Sequence, residues 1–165
     1  MDKVQEINVR QRQYAFAENG TDKNLLVTSN IFVCTTWFGF DKDKGLAFLC
    51  HFDSEKSTSE LPRIVTELNK LSPGELNIES YILNGSKIAN CIRTSNVRKM
   101  IADQAMALKN CRHKPADLGY SSNKYRSRVY VSANELEWLR EDYVFSMPAK
   151  VSAISKTMSK ASGSA

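Results

Sequence analysis

Apolar and polar positions alternate in short bursts along most of the chain, with two exceptions where apolar residues run almost without interruption. The first burst places Val4, Ile7 and Val9, then Tyr14 and Phe16, in a weak strand pattern before an Asn19-Gly20 turn. Leu25 to Thr28 is short and apolar and feeds the next strand. Ile31 to Phe40 is the first unbroken run, rich in β-branched and aromatic residues, and Leu46 to Phe52 is the second. The polar turn Asp41-Lys42-Asp43-Lys44-Gly45 joins them as a hairpin. The spacing then changes to that of a helix: Ser59 is placed to cap it, Pro62 fits its first turn, and Ile64, Leu68 and Leu71 share one face. Ser72-Pro73-Gly74 ends it, and Leu76 to Leu83 reads as a strand closed by an Asn84-Gly85 turn.

A second helix is predicted from a cap at Thr94 or Ser95 to about Lys109, with Val97, Met100, Ile101, Ala105 and Leu108 turned inward. Pro115 and Gly119 mark a loop, Arg128 to Val131 a strand, and Trp138 to Phe145 a strand or a helix. No repeats occur. These elements predict an α+β class, with a mixed, β-sandwich-like core flanked by helices. They form one domain over 1–148, followed by a flexible Ser- and Lys-containing tail over 149–165.

Composition agrees with a folded domain: 165 residues, 42% of them apolar, with few Gly and Pro. The polar N-terminus has no apolar core of a secretory signal, and no segment approaches the ~18 apolar residues of a membrane span. A cytoplasmic, thiol-reduced setting is therefore expected for Cys34, Cys50, Cys91 and Cys111. The net charge of +5 is uneven, because ten Lys/Arg face only Asp103 and Asp117 between Lys87 and Arg128. Such a segment can hold nucleic acid or an acidic protein, but no zinc-finger spacing or RNA-binding aromatic motif accompanies it.

The chemistry-bearing residues collect in the hairpin. Strand alternation turns Cys50 and His51 to opposite faces, so they cannot share one ion. Cys111 and His113 share a face if extended, but two ligands do not make a structural zinc site. Cys34 and His51 stand at the ends of two strands that the turn brings together. Side by side, the imidazole can take the thiol proton and leave a reactive thiolate. A histidine base needs a third group to fix its ring, and Thr28 offers a hydroxyl or a carbonyl. Buried bystanders remain the alternative to a reactive pair.

The order Thr28, Cys34 six residues on, and His51 seventeen residues after it resembles the chemotaxis receptor glutamine deamidase family (CheD), whose relatives include toxin deamidases. Phe40-Asp41, the strand Gly45 to Phe52, Ile82 to Ser86, Ser95-Asn96-Val97 and, loosely, Asn123 to Val129 are similar to segments that follow in the same order in that family. The resemblance runs from about Asp22 to Val131. It implies a CheD-like deamidase fold with Cys34 as nucleophile, His51 as base and acid, and Thr28 as the group that holds His51. The implied reaction converts a glutamine side chain on a partner protein, a chemoreceptor or another regulatory protein, to glutamate. No cofactor and no metal are implied. One departure stands out: the family has Gly-Ser just before its cysteine, where this chain has Phe32-Val33. Two other functions are carried with it: a catalytically impaired member that binds such a partner, and a nucleic-acid-binding module using residues 87–128.

Overall fold

The computed structural model describes residues 4–18, 23–28, 34–41, 43–71, 77–85, 93–108, 114–120, 129–131 and 150–157. They form an α+β arrangement of two sheets and two helices. The strands are β1 (Val4–Asn8), β2 (Gln13–Glu18), β3 (Lys23–Thr28), β4 (Thr35–Asp41) and β5 (Leu46–Phe52). After a 3₁₀ turn at Lys56–Glu60 come α1 (Leu61–Leu71), β6 (Glu79–Asn84), α2 (Arg93–Met106), β7 (Ala116–Tyr120), β8 (Val129–Val131) and β9 (Lys150–Thr157). The larger sheet runs β7-β6-β4-β5-β2-β9, antiparallel except for β6 with β7; the smaller runs β1-β3-β8, with β1 and β3 parallel.

The two unbroken apolar runs occupy the centre of the larger sheet, which explains them. A strand covered on both faces has no solvent side to mark with polar residues. All seven residues of β4 and all seven of β5 are buried. Trp37, Phe48, Cys50 and Phe52 point toward α1 and α2, into a core with Ile64, Leu68, Val97 and Ile101. Phe38, Phe40, Ala47 and Leu49 point the other way, into a second core with Val9 and Leu26. The larger sheet thus lies between the helices and the smaller sheet.

Local chemistry holds the hairpin in register. Asp41 Oδ1 accepts the N–H groups of Asp43 and Lys44 at 3.0 and 3.2 Å, and its Oδ2 accepts that of Asn77 at 2.8 Å. Gly45 closes the turn at φ 62°, where a side chain would be strained. At Gly39 the need is space: a Cβ there would lie 2.5 Å from the Glu79 carbonyl oxygen and 2.8 Å from the Phe48 ring.

Several expectations change. Ser59 does not cap α1; it lies inside the 3₁₀ turn, its hydroxyl donating to the Lys56 carbonyl at 2.8 Å. Pro62 does sit in the first turn of α1. Helix α2 starts at Arg93, so Thr94 and Ser95 are within it and not its cap. Val97, Ile101, Ala105 and Leu108 are buried, but Met100 is 40% exposed, because it falls beside the stripe those four define. The expected loop around Pro115 and Gly119 contains β7, an edge strand. An edge tolerates a proline at its start and a glycine within, here at φ 78° beside an irregularity in pairing with β6. Lys150–Thr157, expected to belong to a flexible tail, instead pairs with β2 as β9. Its Val151, Ile154 and Thr157 carry strand propensity that the surrounding small polar residues obscure. Among the described residues, no helix is long and apolar enough to cross a membrane. The Asn19-Gly20 and Ser72-Pro73-Gly74 turns, Phe32-Val33, Cys91, Cys111, His113, Trp138 to Phe145 and six of the ten Lys/Arg of the basic segment lie outside the described residues.

Candidate active site

Strand register decides which residues can meet. In the β4–β5 ladder Thr36 lies opposite His51 and Thr35 opposite Phe52. Cys34 is one residue ahead of β4 and continues its pairing, since its carbonyl accepts the Gly85 N–H at 3.0 Å. Cys34 therefore stands two residues along from the partner of His51, a diagonal cross-strand neighbour rather than a direct one. Both lie on the smaller-sheet face: Cys34 belongs to that core, and His51 alternates with Ala47 and Leu49. Cys50 faces the helices, where burial pushes its thiol well above the ordinary range. Cys34 and Cys50 are thiols, not a disulfide.

The third residue arrives from the other sheet. Thr28, the last residue of β3, brings its Oγ1 to 2.7 Å from His51 Nδ1. The same hydroxyl donates to the Val9 carbonyl at 2.7 Å. A hydroxyl has one proton, so once it is given to Val9 the oxygen can only accept from His51. This fixes the tautomer: Nδ1 carries the proton and Nε2 bears the lone pair. His51 Nε2 is buried and has no hydrogen-bond partner among the described residues. Burial lowers the His51 pKa to about 4, opposed in part by the negative charge of Asp53. The resting imidazole is neutral, with an unused proton acceptor on the Cys34 face.

Two residues that sequence patterns did not single out frame this pair. The tight turn between β1 and β2 places the Gln11 carboxamide over the thiol, Nε2 donating to Cys34 Sγ at 3.7 Å. Next to it Arg12, the only non-glycine residue at positive φ among the described ones, donates its N–H to the His51 carbonyl at 3.0 Å. Its side chain pairs with Asp53 at 2.6 Å. The polar break Arg10 to Gln13 between two apolar runs is the one sequence signal for this turn, and nothing in it points to Cys34. In the basic segment, Arg98 pairs with Asp117 at 2.8 Å, a surface contact that implies no ligand.

The arrangement can hold an imidazolium by its Nδ1–H, while Nε2, on the same sheet face as Cys34, makes no hydrogen bond to the thiol in this structure. No protein-family model matches the chain, and no curated protein matches its sequence.

Proposed function

We propose that the protein is a cysteine-dependent protein-glutamine deamidase with a CheD-like fold. The observation that carries this reading is the Val9–Thr28–His51 chain of hydrogen bonds, which leaves a lone pair on Nε2 at the face shared with Cys34. Most buried polar atoms have a hydrogen-bond partner, and Nε2 has none among the described residues. In the proposed cycle His51 Nε2 takes the Cys34 thiol proton, and Sγ attacks the amide carbon of a glutamine side chain. The tetrahedral intermediate collapses as the His51 imidazolium protonates the departing ammonia. Water, deprotonated by His51, then attacks the thioester, releasing glutamate and restoring the thiol. Amide and water become acid and ammonia, with no cofactor. The Asp53 charge favours the transient imidazolium, and Thr28 keeps its Nδ1–H engaged throughout.

Cys34 is only 1% exposed, which favours a second reading: a related protein that binds such a partner without turning it over. One experiment separates them. Iodoacetamide treatment of the native protein, read by mass spectrometry, is expected to label Cys34 well before Cys50, and His51→Ala is expected to slow the Cys34 reaction at least about tenfold. Equal, slow labelling of both thiols, unaffected by His51→Ala, would remove the chemical basis of the enzyme. For the deamidase step itself, ammonia release and a mass gain of about 1 Da on a target must disappear in Cys34→Ser.

A further inference from the structure

We infer that Gln11 is a further catalytic residue, its carboxamide N–H donating to the oxyanion that forms when Cys34 attacks a carbonyl. This rests on the deamidase reading of the same site. Three observations support it. Gln11 touches the reacting atom, with Nε2 donating to Cys34 Sγ at 3.7 Å from a position 23 residues away in sequence. That distance is long for holding a thiolate but suits the next species. The carbonyl oxygen of an attacked amide lies one atom beyond the new C–S bond, and formed on the Gln11 side of Sγ it comes within reach of this donor, as an oxyanion contact requires.

The turn that carries the donor is also fixed in advance. Gln13 N–H donates to the Arg10 carbonyl at 3.1 Å, and Arg10 N–H to Gln13 Oε1 at 3.0 Å, closing the turn across Gln11. Arg12 N–H then ties the turn to the His51 carbonyl. The donor and the base are thus both referenced to the same residue of β5, and little reorganisation is needed when charge develops. Finally, Gln11 is an exposed residue whose side chain nonetheless turns onto a buried thiol of another strand.

In the step concerned, Sγ bonds to the carbonyl carbon, the π pair moves onto oxygen, and the thiol proton passes to His51 Nε2. Gln11 stabilises the charge on oxygen and exchanges no proton.

The test uses two probes on the full chain. 4-Nitrophenyl acetate acylates a thiol through a tetrahedral oxyanion, giving a Cys34 thioacetate and 4-nitrophenolate; iodoacetamide alkylates by displacement without one. Gln11→Ala is expected to slow acylation about tenfold to a hundredfold while changing alkylation by less than about threefold, with an unaltered melting temperature. Gln11→Glu, which offers an acceptor in place of a donor, is expected to slow acylation at least as much. The proposal is overturned if both reactions fall together, if neither changes, or if purified protein gains about 1 Da at Gln11 in a Cys34-dependent manner, which would make Gln11 the amide attacked. Inert wild-type Cys34 with both probes would overturn the deamidase reading as well, whereas a reactive wild type matched by Gln11→Ala would overturn only the role of Gln11.

Discussion

Replacing Thr28 by valine keeps the shape of the side chain and removes one oxygen, which isolates what that oxygen does. In the native protein it satisfies two buried groups, accepting from His51 Nδ1–H and donating to the Val9 carbonyl. Thr28, His51 and Val9 are all 0% exposed, so water does not replace the lost partner. Each orphaned group costs about 1–3 kcal/mol, which gives a loss of roughly 4 kcal/mol. For a chain of this size the melting temperature should fall by roughly 10 °C. Thr28→Ser retains both hydrogen bonds and removes only a methyl group, for about 1 kcal/mol. Urea denaturation of the three proteins measures the contrast. Long-range ¹H–¹⁵N correlation spectra of the histidine ring test its cause, since wild type and Thr28→Ser should show Nδ1 protonated and Nε2 bare. Valine tolerated as well as serine, or a wild-type His51 protonated on Nε2, would refute this role for the Thr28 oxygen.

Two further predictions concern stability. His51 has a pKa of about 4 when folded against an ordinary 6.5, so the unfolded chain binds the proton first as pH falls. Its contribution is therefore complete above the ordinary value and is lost between pH 6.5 and 4, by roughly 3 kcal/mol. Urea titrations across that window should show this slope in wild type and lose it in His51→Gln; parallel curves would contradict it. Gly39→Ala should cost about 3 kcal/mol, because the first atom met by the new methyl is a backbone oxygen of the neighbouring strand, which cannot rotate away. An unchanged urea midpoint would show that β4 and β6 can separate to admit it.

The hairpin was legible because burial on both faces leaves a simple signature, an apolar run cut by a polar turn. Strand alternation also separated Cys50 from His51 correctly, since period two is a property of the backbone and not of context. Sequence spacing brought Cys34 and His51 near one another but could not supply the diagonal offset, which depends on the turn's register. Thr28 was a candidate by position, yet no pattern shows that the chain leaves the larger sheet after β2 and lies over it as β3. Gln11 was invisible for a related reason: a polar residue in a short turn looks the same whether it faces water or a thiol. Strands β7 and β9 were missed because each pairs on one side only, at an end of the larger sheet, where strand residues need not be uniformly apolar. Met100 missed the core by one position on the helix, a difference that periodicity alone does not resolve.

The Thr28–His51 contact joins one sheet to the other, and this makes the site an assembly-dependent device. β5 and its histidine can form within a local hairpin, but Thr28 reaches Nδ1 only once the smaller sheet has docked. That sheet includes β8, contributed by residues almost eighty positions after His51. Until then the imidazole exchanges tautomers and protons as it would in water. The nascent chain thus carries an ordinary histidine, and its proton acquires a fixed address only when distant parts of the chain have come together.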